Sequence, residues 1–234
     1  MRNDSLRKHR SHLRLGGVCD EHLDVFAANE GGKNTVGTLG TNVGVVTGLL
    51  ADQSRHFGES RTASANCRLY RRLIYVAMRA IVKVARLLGL KDPAMLDIPY
   101  PSAIGDEKLL SSAQGLVDRV TPHAAAFLSA GMPSDLLANL VTRIQGLAAS
   151  KAALATARQQ YAAVATAVLE KQAETDAAVN ALQAIAETGP GSSAAVLTEF
   201  RIARRIGPRV PDKADEPAAA PATASTVPAA AKTA

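Results

Sequence analysis

The sequence has no tryptophan and only four tyrosines and four phenylalanines, so aromatics make up 3% of its 234 residues. Sheets draw on aromatic and β-branched side chains for their pleated faces. A core here must come from Leu, Val, Ile and Ala instead, which favours helices packed closely on helices. The same scarcity weighs against single-stranded nucleic acid, whose bases stack on aromatic rings. Cysteine is equally thin: Cys19 and Cys67 are the whole supply. A pair is too few for a disulfide-stapled scaffold and neither sits in a metal spacing, so both are expected as free thiols in a reducing compartment, the cytoplasm. Long apolar runs are missing too. The longest uncharged stretch, 34–51, has 18 residues and includes Asn34, Asn42 and four glycines, a poor bilayer span. Residues 1–15 lack the apolar run of a secretory signal. No nucleophile elbow, Walker loop, dinucleotide fingerprint, zinc finger or helix-turn-helix pattern is visible. The sequence therefore assigns no catalytic residue, cofactor or metal, and the chain is expected not to be an enzyme.

What is present is aliphatic periodicity. Apolar residues make up 47% of the chain. The length suits one helical domain over 1–207, with a basic opening segment, 1–15, and a crossover loop, 92–104, rich in proline. A short helix is expected near Asp20–Asn29, with Gly31-Gly32 as a break. In 33–57 the row Val36, Leu39, Val43, Val46, Leu50, Phe57 has coiled-coil-like spacing and predicts a helix. Gly40, Gly44 and Gly48 share one face of it. Each interior glycine costs about 1 kcal/mol against alanine, so this row is expected to pack on a neighbouring backbone.

From Ala63 to Leu88 the row Cys67, Tyr70, Ile74, Ala77, Ile81, Val84, Leu88 marks a second helix. A parallel row, Leu69, Leu73, Val76, Ala80, Leu87, widens its apolar arc. A further helix is expected from Asp106, with Pro122 either kinking it or opening a second short helix that Thr121 caps. Ser134 is the expected N-cap of a very long helix, 135–187, unbroken or split near Ala149-Ser150. Gly189-Pro190-Gly191 stops it, and Ser192 or Ser193 caps a last helix through Ile206. Ten Ala and five Pro among the 27 positions of 208–234 predict a disordered tail. The fold class is all-α: an antiparallel helical bundle with long helices and a disordered C-terminal tail.

The middle of the chain resembles a widespread family of uncharacterised bacterial helical proteins. The similarity rests on Val84-Ala85-Arg86-Leu87-Leu88-Gly89-Leu90, the Asp92-Pro93 loop, Asp106 through Leu110, Phe127 through Pro133, and Leu136-Leu137. Gly31-Gly32 fits as well. The resemblance covers roughly 1–206 and excludes the tail. It implies two long helical stretches either side of the proline loop, and no activity. The chain departs from that family in a heavier basic load between 60 and 91.

That load is the one constellation with chemistry in it. The net charge is +6, and residues 60–91 hold eight bases and no acid. On a helix, Arg68, Arg72, Arg79, Lys83 and Arg86 fall within an arc of about 60°. Such a rail suits phosphates, acidic lipids or an acidic protein. Basic residues of 1–15 and Arg201, Arg204, Arg205 and Arg209 are candidates to extend it. The competing expectation is internal neutralisation by Glu170, Glu174, Asp176 or Glu187 on a neighbouring helix, in pairs contributing about 0–1 kcal/mol each.

His9, His12, Cys19 and His22 lie close in sequence, but match no metal spacing and are divided by Gly16-Gly17. His123 follows Pro122 with no acid or nucleophile motif nearby. The leading expectation is thus a non-catalytic structural or protein-interaction bundle, which self-associates or takes a protein partner through its low-bulk alanine-rich helix. The alternative is binding of nucleic acid or another polyanion on the basic face of the 63–88 helix.

Overall fold

The computed structural model describes residues 2–89 and 105–206. Among them every regular element is helical: α1 (Arg2–Glu21), α2 (Leu23–Phe26), α3 (Glu30–Gly89), α4 (Asp106–Val120), α5 (Ala124–Ser129), α6 (Leu136–Thr188) and α7 (Ala194–Arg204). A 3-10 turn, Thr121–His123, joins α4 to α5. The proline loop 92–104 and the tail 208–234 lie outside the described residues.

Two helices dominate. At 1.5 Å per residue, α3 is about 90 Å long and α6 about 80 Å. They run antiparallel: Phe57 meets Tyr161 with ring centroids 6.1 Å apart, and Arg143 Nη1 donates to the Leu73 carbonyl at 3.3 Å. The two segments expected as separate helices, 33–57 and 63–88, are thus one 60-residue helix. Nothing between Phe57 and Ala63 is a breaker strong enough to stop it, since Gly58 alone costs only about 1 kcal/mol. The segment expected at 135–187 is likewise a single helix, Leu136–Thr188.

Two separate cores hold the pair. At one end Leu15, Cys19, Val25, Phe26 and Leu39 close against Val179, Leu182, Ala186, Val196 and Phe200. At the other Ile74, Met78, Ile81 and Ala85 of α3 meet Leu109, Leu116 and Val120 of α4, Phe127 of α5, and Leu140, Ile144 and Leu147 of α6. Between them burial is slight. From Val46 to Ile74 the buried residues of α3 are Gln53, His56 and Ala63, and from Leu147 to Val168 the buried residue of α6 is Ala157.

Several local expectations are corrected. Gly31-Gly32 is no break: both sit in the first turn of α3. The chain bends just before, at Ala27–Asn29, and Asn29 Oδ1 accepts from the Gly32 N–H at 2.7 Å, capping the helix. Gly32 is there for space, since a Cβ would lie 2.2 Å from the Phe26 carbonyl oxygen. The short helix expected near Asp20–Asn29 is replaced by α1, which runs through Gly16-Gly17, and by the single turn of α2.

Gly40, Gly44 and Gly48 pack on nothing; a Cβ at each would have no neighbour within 4 Å. Of the second apolar row of the 63–88 segment, Leu73 and Ala80 are half-buried, but Leu69, Val76 and Leu87 face outward, 53%, 58% and 68% exposed. Pro122 lies at the start of the 3-10 turn that leads directly into the short helix α5, so a second short helix does open there, but Val120 rather than Thr121 precedes the turn and no side-chain cap bond forms. Asp135, not Ser134, is the N-cap of α6, with no side-chain cap bond.

The helix stops follow the chemistry. Gly131, at φ +85°, ends α5, and the Met132 N–H reaches back to the Phe127 carbonyl at 3.1 Å, a Schellman closure that satisfies an otherwise orphaned carbonyl. Gly189 ends α6 as expected. Ser193 caps α7 by accepting from the Val196 N–H at 3.3 Å. That helix closes at Arg204 rather than Ile206.

Candidate polyanion-binding face

Ile74, Met78, Ile81 and Ala85 turn the C-terminal half of α3 inward, so residues half a turn away must face out. Arg68, Arg72, Arg79, Lys83 and Arg86 are accordingly all exposed. The structure brings these five together on one helix face, as their spacing predicts. Arg68, Arg72 and Lys83 make no ion pair with any described residue.

The register of α6 against this face is fixed by a close approach. The Tyr70 ring lies over Gly146, where a Cβ would come within 2.5 Å of Cζ. One turn away Arg143 holds the Leu73 carbonyl. Antiparallel pairing then sets Ser64 and Arg68 opposite the stretch of α6 around Leu154. A cleft of about 400 Å³ opens there, lined by Ser64, Cys67, Arg68, Arg71, Lys151 and Arg158 among others. A neighbouring concavity shares Arg68 and Arg158 and adds Ser60 and Arg61.

Asp106, at the start of α4, pairs with Arg71 at 3.1 Å. Glu107 reaches Lys151 at 3.7 Å, but with its side chain 92% exposed that contact is strongly screened. Arg158, like Arg68, has no ion-pair partner among the described residues. Guanidinium groups from two helices thus flank one concavity, with hydroxyls of Ser60 and Ser64 beside them. Planar forked donors of this kind match phosphate and carboxylate oxygens.

Lys151 and Arg158 escape a reading that follows one helix at a time. Their signal is nevertheless in the sequence. They stand one heptad apart, and they are the only charges between Arg143 and Glu170, so α6 too is purely cationic along this level.

The acids expected to neutralise the rail lie elsewhere. Antiparallel packing carries 170–187 to the other end of α3. Glu170 is 24 residues along α6 from Gly146, about 36 Å at 1.5 Å per residue. Glu174 pairs with Lys171, Asp176 with Lys8 and His12, and Glu187 with Arg201 at 3.5 Å. The terminal basic segments are at that far end as well and do not extend the rail. Arg7 pairs with Asp4 at 3.1 Å, and Arg14 donates to the Ala203 and Arg205 carbonyls. Arg204 binds Gln183 and Asn180, and Arg209 lies outside the described residues. Arg14 thus ties α1 to α7 and Arg204 ties α7 to α6; Arg14 satisfies C-terminal carbonyls of α7 together with Ser11, whose hydroxyl donates to Ala203 and Arg204.

The histidines near the start of the chain are separated by the fold. His9 is buried against the Thr47 hydroxyl at 3.1 Å, and His12 is buried on Asp176 at 3.0 Å. Burial lowers both imidazoles below their ordinary value; the neighbouring charge of His12 adds to this at His9, and the Asp176 hydrogen bond opposes it at His12. Burial, then the charge of Asp20, pushes the Cys19 thiol up to about 12. His22 pairs with Glu199 at 2.7 Å. With Glu21 these two offer three ligand atoms within 4.8 Å of one another, two of the three residues being exposed carboxylates. His123 sits half-buried in the 3-10 turn.

No described helix is long and apolar enough to cross a membrane. No family model matches the sequence, and no curated protein or solved structure does either.

Proposed function

We propose that the chain is a non-catalytic binding module that takes a polyanion on the cationic middle of the α3–α6 hairpin. One observation carries this reading: Arg68 of α3 and Arg158 of α6 line the same cleft, and neither has an ion-pair partner among the described residues. Arg72 and Lys83 continue the positive surface outward from Arg68. Asp106 also lines the cleft and offsets Arg71, but Arg68 and Arg158 leave the cluster in excess positive charge, which raises the local concentration of anions, and guanidinium forks hold phosphate or carboxylate oxygens bidentately. The free thiols Cys19 and Cys67 suit a reducing compartment, and we place the protein in the cytoplasm.

The test is retention on heparin and binding of short duplex DNA over a salt series. The logarithm of affinity should fall linearly with the logarithm of salt concentration. Arg68→Glu with Arg158→Glu should abolish binding. Arg10→Glu with Lys33→Glu, the same change in charge at the far end, should leave most of it. If both double variants weaken binding equally, the cleft has no special part and the proposal fails.

A further inference from the structure

The outer ridge of α3 carries more than charge. At 100° per residue the five bases fill an arc of about 60°, and Val76, Leu69 and Leu87 occupy the adjoining 40° or so. These three aliphatic side chains are 58%, 53% and 68% exposed. Single exposed aliphatics are ordinary on a protein surface. Three in one row along the edge of a cationic arc, directly opposite the buried Ile74, Ile81 and Ala85, form a second amphipathic face on a helix whose first is already in the core.

We propose that this ridge, Arg68 to Leu87, lies down on an anionic lipid bilayer. Leu69, Val76 and Leu87 enter the boundary between headgroups and acyl chains, while Arg72, Lys83 and their basic neighbours meet the lipid phosphates. The inference rests on the polyanion reading and names its source. Three features on the ridge select a bilayer. Its charge is of one sign, because 60–91 holds no acid, which complements an anionic leaflet. Its aliphatic row gains from an apolar boundary and would stay in water against a phosphodiester backbone. Its exposed apolar residues are aliphatic, so the ridge has nothing on which bases could stack. A continuous convex helix also needs no shaped complement to lie on a fluid surface.

Sedimentation of the full-length protein with vesicles decides the matter. Vesicles of phosphatidylglycerol mixed with phosphatidylcholine should carry the protein down, and vesicles of phosphatidylcholine alone should not. Leu69→Ser with Val76→Ser and Leu87→Ser should lower vesicle affinity by about tenfold or more, while heparin and duplex DNA binding stay unchanged. Arg72→Glu with Lys83→Glu should remove vesicle binding. All five positions are solvent-facing, and circular dichroism checks that each variant keeps its helices. In the unaltered protein, vesicle binding should also survive a salt concentration that releases heparin, because the aliphatic contribution is not screened.

Heparin or DNA binding without vesicle binding would overturn the lipid inference and leave the polyanion reading standing. So would vesicle binding indifferent to the aliphatic changes. Loss of heparin, DNA and vesicle binding together in the unaltered protein would remove both.

Discussion

Replacing Gly40, Gly44 and Gly48 together by alanine should make this protein more stable. All three are inside α3, where a glycine is worse than alanine by about 1 kcal/mol through backbone entropy and exposed peptide groups. A methyl group at each meets no atom within 4 Å, so no steric cost offsets the gain. Three independent sites sum to about 3 kcal/mol. For a domain of this size each kcal/mol moves the melting temperature by about 2–4 °C, so the triple variant should melt about 6–12 °C higher. Circular dichroism during a temperature ramp reads this directly.

Two other glycines serve as controls of opposite sign. At Gly146 the methyl group would sit 2.5 Å from the Tyr70 ring, and at Gly32 it would sit 2.2 Å from a backbone oxygen that cannot move aside. Alanine at either position should lower the melting temperature. A triple variant that melts at or below the parent would refute the reasoning. It would mean that the row is covered in solution, and sedimentation equilibrium would then show the parent associating and the variant not.

Three further outcomes are expected. Phe200 is fully buried and stacked on Phe26 with centroids 5.6 Å apart; Phe200→Ala should cost about 3–5 kcal/mol, read from urea midpoints, and a loss under 1 kcal/mol would contradict the packing. His9 and His12 are held below the usual 6.5 by burial, so below that pH the unfolded chain binds more protons than the folded one. Stability should therefore be flat between about pH 6.5 and 8 and fall on acidification, and His9→Gln with His12→Gln should flatten the fall; a parent protein that gains stability as the pH drops below that range would exclude this. Cys19 is buried with its thiol raised to about 12, so a thiol reagent at pH 8 should label only Cys67 in the native protein and both in urea. Heparin should slow the labelling of Cys67, because that side chain lines the cleft.

The helices and the basic arc were legible in the sequence because both are properties of a single segment. Spacings of three and four fix which residues share a face, and they place Arg68 through Arg86 on one side whatever the neighbours do. The sign of burial was less legible. Leu69, Val76 and Leu87 look like core by composition, yet α4, α5 and α6 all meet the side of α3 that carries Ile74, Met78, Ile81 and Ala85, which leaves the opposite arc exposed. The glycine row looked like a packing seam for the same reason. The cleft was hidden because it needs two helices in register, and that register is set by the contact of Tyr70 with Gly146, residues 76 positions apart. Pairing of Asp176 with Lys8 and His12 was equally invisible, since it depends on which end of α6 meets α1.

The two cores stand apart along a stem with little buried between them. Lys83, beside one core, and Leu39, within the other, are separated by about 65 Å of helix at 1.5 Å per residue. Anything gripped by the cationic ridge is therefore held by one lobe, while the lobe built on Phe26 and Phe200 projects well clear of it. If the ridge grips a surface as proposed, the second lobe is carried that distance along the stem from the point of attachment.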